Sequence, residues 1–466
     1  MAGSFASINT ALTALRYQQV ALDVASTNVA NVGTDGYVRR RVVGETLGAA
    51  SSPAVWSRSL ETGSGVQAAR VDRMTDALLD SRVRREHGRQ TYLDSRAEAL
   101  ARVETGLAEP GPSGVAAALS DLRATLNDLG NAPGSDAARS QALSAAASVV
   151  DTVRLQAAHL SDEASDQRSH LLASVVEANS VATELAATNR TIAAALGGGS
   201  DTTTLMDERD ALALRLAELT GARGTVRADG SMYVELGGQA LVDGNSAAQL
   251  VVTGGVAADG SATGGPVTFD LDPDTTGATT ALTGTPGGDL GATINVLDDV
   301  LPSYISGLAA VAKDLADHVN AQHQLGYDAN GVAGGKLFDY DPTDVLGTFG
   351  VVIADASKLA VSALPGGVKD GNNATALAAA VDVDDQYQRL VNGFGSTVAS
   401  ARQMATNQQA LTDQVDSARE QLTGVSLDEE TVNMVSAQRA YEAAARVMTT
   451  LDSVLDTLIN RTGLVR

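Results

Sequence analysis

The most regular hydrophobic pattern lies in the last forty or so residues of the chain. From Met434 onward, apolar residues recur at spacings of three and four, as they do on a helix that packs along another helix. This C-terminal stripe comprises Met434, Ala437, Tyr441, Ala444, Met448, Leu451, Leu455 and Leu458. Ser426 and Glu429 form a capping-box pattern after Gly424, which is typical of a helix start. The pattern therefore predicts a terminal helix from about residue 427.

A matching stripe lies at the other end of the chain. In this N-terminal stripe, apolar residues repeat every seven positions, with two more on the same face; it comprises Ile8, Leu12, Leu15, Leu22, Ala25 and Val29. It predicts a helix over residues 4–31. An ordinary amphipathic helix on an ordinary core would give a similar spacing. Two coiled-coil helices at opposite ends of the sequence favour an elongated, hairpin-like chain whose ends meet.

The segments between the two stripes alternate between helical patterns and chain breakers. Helices are predicted at about 72–104, 114–129, 135–196, 202–219, 289–323 and 382–421. A helix of about 60 residues spans roughly 90 Å, so the third of these indicates an elongated bundle. Ser135 is the expected N-cap of that helix.

Residues 221–286 differ in composition from the helical segments. They are rich in Gly, Thr, Val and Asp, and short alternating runs at 232–236 and 267–271 predict a small antiparallel β domain. The expected fold is mainly α with an inserted β domain, an α+β chain. Its predicted parts are a terminal helical core (1–43 with 425–466), an elongated helical bundle (44–220 with 287–424) and the β domain (221–286).

Charge and composition exclude several functions. The chain of 466 residues carries 33 Lys and Arg against 56 Asp and Glu, a net charge of −23, which disfavours binding to nucleic acid or to anionic membranes. The absence of cysteine excludes disulfides and thiolate chemistry. No apolar run reaches about 18 residues, so we expect no membrane insertion. The N-terminus lacks the basic and apolar regions of a cleaved secretory signal.

A catalytic constellation is not evident. The five histidines form no metal-binding spacing, so satisfied or solvated histidines are the default. Asp207, Glu208 and Asp210 are expected to form a solvated helix face. We therefore predict no enzyme activity and no catalytic, cofactor or metal site.

Residues 28–37, Asn-Val-Ala-Asn-Val-Gly-Thr-Asp-Gly-Tyr, resemble the Asn-x-Ala-Asn-x-x-Thr-x-Gly-Tyr/Phe signature of the axial proteins of the bacterial flagellum. Gly33 and Asp35 replace the usual Asn and Pro of that signature. In physical terms, Asn28 and Asn31 can cap the last carbonyls of the first helix. Gly36 allows a sharp exit, and Tyr37 can anchor the turn.

The C-terminus carries the same resemblance. Residues 424–430, 437–441 and 455–460 are similar to the terminal helix of these axial proteins. Residues 205–210 and 321–328 favour the hook-associated members over hook and distal rod proteins, which remain the alternative within the family. An enzyme or glycan-binding module on residues 221–286 is the alternative from a different class.

The resemblance implies a structural subunit of the hook–filament junction, extracellular and exported by the flagellar type III route. Its implied partners are copies of itself in a ring or helix, the hook protein, a second junction protein (FlgL) and an export chaperone (FlgN) on the C-terminal helix. The terminal helices would form the inner core, and the β domain would lie outermost. The two stripes, together with Asn28, Asn31, Gly36 and Tyr37, are therefore the predicted assembly interface.

Overall fold

The computed structural model describes residues 2–48, 64–273, 277–367 and 369–457. It confirms a mainly helical α+β chain. Its α-helices are α1 (Ala2–Ala30), α2 (Ala77–Leu107), α3 (Val115–Asn131), α4 (Asp136–Gly197), α5 (Thr203–Thr220), α6 (Gly288–Asn295), α7 (Leu301–His323), α8 (Val345–Thr348), α9 (Asn372–Ala380), α10 (Asp384–Thr423) and α11 (Leu427–Asp456). A π-helical turn at Val296–Val300 joins α6 to α7. Leu458 of the predicted interface lies outside the described residues.

The two terminal helices, α1 and α11, pack along each other. A hairpin of β1 (Arg40–Thr46) and β2 (Val66–Arg73) follows α1 and lies against it. The predicted helix start near Asp72 is wrong, because Asp72 pairs with Arg41 in this hairpin. Helix α2 begins after Asp76, whose side chain accepts the backbone N–H groups of Leu78 and Leu79. Strand pairing therefore delays the helix to a good N-cap residue.

The body of the molecule is an elongated bundle built on α4. This helix of 62 residues begins after Ser135, whose hydroxyl accepts the N–H of Ala138, as predicted. Its first half packs against α3, and α2 packs along α10. The core between α2, α3, α4, α7 and α10 includes the fully buried side chains of Leu100, Leu119, Val149, Leu308 and Val398.

Two antiparallel sheets occupy the predicted β segment. The first has β3 (Arg223–Val226), β4 (Met232–Leu236), β5 (Gln239–Asp243) and β6 (Ser246–Ala247) in sequence order, and the second has β7 (Gln249–Val256), β8 (Ala262–Asp272) and β9 (Thr280–Ala281). A further short pair joins β10 (Phe338–Asp339) to β11 (Gly350–Val351).

The first two sheets share one hydrophobic core with the second half of α4. Leu171 and Leu185 of α4 pack with Met232 and Phe269 of the strands. The Asn189 side chain donates to the carbonyl of Met232 at 2.9 Å and accepts its N–H at 2.8 Å. The strands are therefore fixed to α4 by both apolar and polar contacts.

No helix in the described ranges is long and apolar enough to cross a membrane.

Candidate assembly interface at the paired terminal helices

Asn28 is the polar centre of the terminal pair and is fully buried at the end of α1. Its side-chain amide donates to the carbonyl of Arg40 at 2.9 Å and to Glu430 Oε2 at 3.0 Å. Its Oδ1 accepts the Tyr37 hydroxyl at 2.8 Å and the Arg40 N–H at 3.0 Å. The predicted cap role of Asn28 is therefore wrong, because these four bonds tie α1, β1 and α11 together instead of closing its own helix.

The other residues of the 28–37 segment behave as the sequence indicates. The Asn31 side chain donates to the carbonyl of Thr27 at 2.9 Å, which caps the last turn of α1. Gly36 has a φ of 77°, a conformation that L side chains rarely adopt. Tyr37 anchors the turn through Asn28, and burial raises the pKa of its hydroxyl. These contacts turn the chain sharply from α1 into β1.

Arg39 links the same turn to the first turn of α11. Its guanidinium lies 2.7 Å from Glu430 Oε1 and 2.8 Å from Glu429 Oε2. Its backbone N–H donates to the carbonyl of Thr423 at the end of α10. The side chain of Glu430 is only 3% exposed, and a buried carboxylate needs such partners to remain charged. The ion pairs of Arg39 therefore hold the first turn of α11 against the turn that follows α1.

A second charged cluster joins the terminal pair to the body. Arg73 lies 2.7 Å from Asp207 Oδ1 and 2.8 Å from Asp210 Oδ2, and Arg40 lies 3.3 Å from Asp207 Oδ2. The prediction of a solvated face is wrong for Asp207 and Asp210, whose side chains are only 12% and 11% exposed. It is correct for Glu208, which is exposed. Burial raises the pKa of Asp207, although Arg73 and Arg40 act against this. We call this cluster the joint.

The predicted stripes lie on two helices that pack against each other, and most of their residues are only half-buried. The half-buried members are Ile8, Leu12, Leu15, Leu22 and Val29 on α1, and Met434, Ala444, Met448, Leu451 and Leu455 on α11. Ala25 and Ala437 are buried, whereas Tyr441 is 39% exposed. When only two helices pack together, side chains at the edges of their interface stay partly exposed to solvent.

A second set of apolar residues on α11, outside the predicted stripe, is more exposed. Val432 is 67% exposed, Val447 is 51% exposed and Val454 is 46% exposed. Single exposed apolar residues are common, but these recur along one helix beside a half-covered stripe. The spacing of Val447 and Val454, seven residues, was the signal available in the sequence.

The histidines are satisfied by protein partners where they are buried. His323 is fully buried; its Nδ1 lies 2.8 Å from the carbonyl of Gly335, its Nε2 accepts the N–H of Ala360, and burial lowers its pKa. His87 lies between Glu218 and Asp416, whose hydrogen bonds raise its pKa.

His170 contacts Asp289 at 2.8 Å, and this hydrogen bond raises the pKa of His170. Burial alone would raise the pKa of Asp289, but hydrogen bonds from His170, Ser174 and Ser95 outweigh it and lower the pKa to about 2. In the described part of the chain, no group of three or more His, Cys, Asp or Glu residues could hold a metal ion.

Three protein-family models match parts of this chain. Residues 100–338, which are 239 of 466 positions, match the helical domain of the flagellar hook-associated protein FlgK. The chain belongs to the FlgK family of flagellar hook-associated proteins. The two ends match separate models: residues 8–37 match the flagella basal body rod protein, and residues 421–461 match the C-terminal part of the flagellar basal body rod FlgEFG proteins. The terminal matches coincide with α1 and α11.

Named relatives span the whole chain. Flagellar hook-associated protein 1 of Bacillus subtilis is 29% identical over 99% of both chains. That of Escherichia coli is 24% identical over 97% of this chain and 99% of its own. The solved structure of the flagellar hook junction protein FlgK from Burkholderia pseudomallei has the same fold, with a TM-score of 0.65 at 17% identity, over 74% of this chain and 100% of the other.

Proposed function

We propose that this chain is a structural subunit of the flagellar hook–filament junction and assembles through α1 and α11. The observation that carries the proposal is the pair of half-buried stripes next to exposed apolar residues of α11. Apolar surface of this kind becomes favourable when another helix covers it. The names of the relatives, hook-associated protein 1 and hook junction protein, agree with this role.

The charged contacts would fix the position of α11 relative to α1, and of the terminal pair relative to the body. The Asn28–Glu430 contact fixes α11 against the end of α1, and the joint fixes the β1–β2 hairpin against α5. Residues 1–43 with 425–466 would thus form the inner core, 44–220 with 287–424 the surrounding bundle, and 221–286 the outermost domain.

The partners follow from the same role. They are copies of this chain, the hook protein on one side and FlgL on the other, with FlgN binding α11 before export through the type III channel. The exported chain would reside in the extracellular flagellum. Its role there is structural rather than catalytic, and the charge of −23 does not fit nucleic acid as a partner.

The substitution Leu451→Asp tests the proposal. Leu451 is half-buried in the C-terminal stripe, and covering a carboxylate there in the assembly costs several kcal/mol. Cells that carry only this variant are expected to make hooks, release unassembled flagellin and lose motility. Electron microscopy of the cells and a motility assay measure both effects.

Ser453→Asp is the matched control, because Ser453 is exposed on the same helix two residues away. It adds the same charge and is expected to leave filaments intact. Normal filaments with Leu451→Asp, or equal loss with both variants at equal export, would contradict assembly through the stripe.

A further inference from the structure

A cavity of about 610 Å³ opens between α2, β3 and the start of α6. One face of α2 lines it with Arg84, Arg85 and Arg89, and Arg223 of β3 lies across from them. No Asp or Glu is among its lining residues. Only one carboxylate, Glu86, pairs with arginines of this wall, so four arginines still make a locally positive site in a chain with a net charge of −23.

Arg84 is the buried member of this wall and is only 7% exposed. Its Nη2 donates to the carbonyl of Gly224 at 3.3 Å, and its Nε has no hydrogen-bond partner. Burial lowers its pKa, while the charges of Asp210 and Asp80 act against this. Those two carboxylates already pair with Arg73 and Arg419 respectively. A buried guanidinium with an unused donor is costly unless another acceptor is supplied.

The positive charges of the other arginines are also only partly neutralised by carboxylates. Arg85 and Arg89 share a single carboxylate, Glu86, at 3.2 and 3.5 Å. Within the described residues, Arg223 forms no ion pair and its side chain is exposed. Arg223 and Arg89 can therefore turn toward a ligand, while Arg85 and Gln408 stay with the buried carboxylate of Glu86.

The start of α6 forms another part of the cavity wall, where the N–H of Gly287 donates to the carbonyl of Thr220. Gly287 and Gly288 line the cavity, and Gly287 is an N-cap without a side-chain hydrogen bond. Close packing keeps the wall in place, since a Cβ on Gly88 would lie 2.6 Å from the carbonyl oxygen of Ala217.

We propose that this cavity binds a ligand with two or more oxyanion groups, held by Arg84, Arg89 and Arg223. Arginine is suited to such groups because its fork binds two oxygens at once. The cavity volume falls in the range of ligand pockets, about 300–1,000 Å³, and exceeds the need of a single inorganic ion. The oxyanions can come from a small polycarboxylate or from acidic side chains of another polypeptide. The site lies between the bundle and the β domain and does not depend on the assembly role of α1 and α11.

Isothermal titration calorimetry of the full chain tests the site with a tetraglutamate peptide, citrate and sulfate at equal ionic strength. We expect the peptide or citrate to bind, and Arg223→Gln to weaken that binding about tenfold or more, as expected for a lost charge-assisted contact. Tighter binding of the peptide indicates a polypeptide source, and tighter binding of citrate indicates a free ligand.

Arg82→Gln is the matched control, because Arg82 is exposed on α2 and does not line the cavity. It removes the same charge and is expected to leave affinity unchanged. Equal weakening by Arg82→Gln and Arg223→Gln, no binding of either polyanion, or sulfate binding as tightly as both would overturn the proposal. Arg89→Gln, a second exposed position, repeats the test at the opposite wall.

Discussion

At the residue scale, Asn28 shows what a motif alone leaves open. Its place before a helix end predicts a cap, and Asn31 fulfils that role. Asn28 instead bonds to Glu430, 402 positions away in sequence. A spacing rule works along one element and carries no information about which distant carboxylate will approach. The resemblance marked Asn28 as part of the interface, but only the fold shows which contacts it makes.

Asn28→Asp should weaken the attachment of α11 to α1. The substitution places a carboxylate 3.0 Å from Glu430 Oε2 in a buried site, and an unpaired buried charge costs about 3 kcal/mol. Urea unfolding and amide exchange of α11 measure the loss. The loss should shrink in acid, where the introduced carboxyl is protonated and can donate again. Asn9→Asp, exposed on the same helix, is the control; equal effects of the two variants would contradict the role of Asn28.

The joint gives a second test at single residues. Asp207→Asn removes the carboxylate that faces Arg40 and Arg73, and it should cost about 2 kcal/mol of stability. The loss should appear as faster amide exchange in the β1–β2 hairpin. Glu208→Gln is the control, since Glu208 is exposed beside it. A hairpin that stays fully protected with Asp207→Asn would show that other contacts hold it.

At the element scale, the prediction from sequence agrees with the structure where the local sequence pattern is strong. Helix α4 follows from a clear N-cap and three closing glycines, and the structure places it at Asp136–Gly197. Strand β2 was missed because Val66–Arg73 mixes charged residues with small ones and has no fully buried position. Its partner strand, rather than its own pattern, makes it a strand.

Two histidines that connect elements should make stability depend on pH. His87 links α2 to α5 and α10, and His170 links α4 to α6. Both pKa values are raised above the ordinary 6.5. Their stabilisation is therefore fully present below pH 6.5 and is lost as the pH rises through the raised values. His323, with a lowered pKa, acts in the opposite direction and weakens the fold below pH 6.5.

Thermal unfolding between pH 6.5 and pH 9 measures this effect. The melting temperature of the unmodified chain should fall across this range, and His87→Gln with His170→Gln should flatten the fall. His159→Gln, at an exposed histidine of α4, should leave it unchanged. An identical fall in the double variant would place the pH dependence elsewhere.

At the scale of the whole molecule, the sequence could predict the hairpin-like chain and the pairing of its ends. Helical periodicity is local, and the two stripes have complementary spacing. It could not predict the joint, because Arg73 and Asp207 are 134 positions apart in sequence. It also missed that the β strands share a core with α4, since a change of composition marks a boundary without showing what packs across it.

In the whole molecule, we expect α1 and α11 to stay partly exposed until neighbouring subunits pack against them. Since the chain has no cysteine, a single introduced thiol reports on one position. Val447→Cys probes the exposed face of α11, where Val447 is 51% exposed, and Ala258→Cys probes the exposed β7–β8 turn as a control. Rates of thiol labelling are measured in the purified chain and in isolated hook–filament junctions. We expect the thiol at 447 to react fast in the free chain and to be protected in the junction, whereas the thiol at 258 reacts in both. Equal reactivity of the thiol at 447 in both states would contradict it.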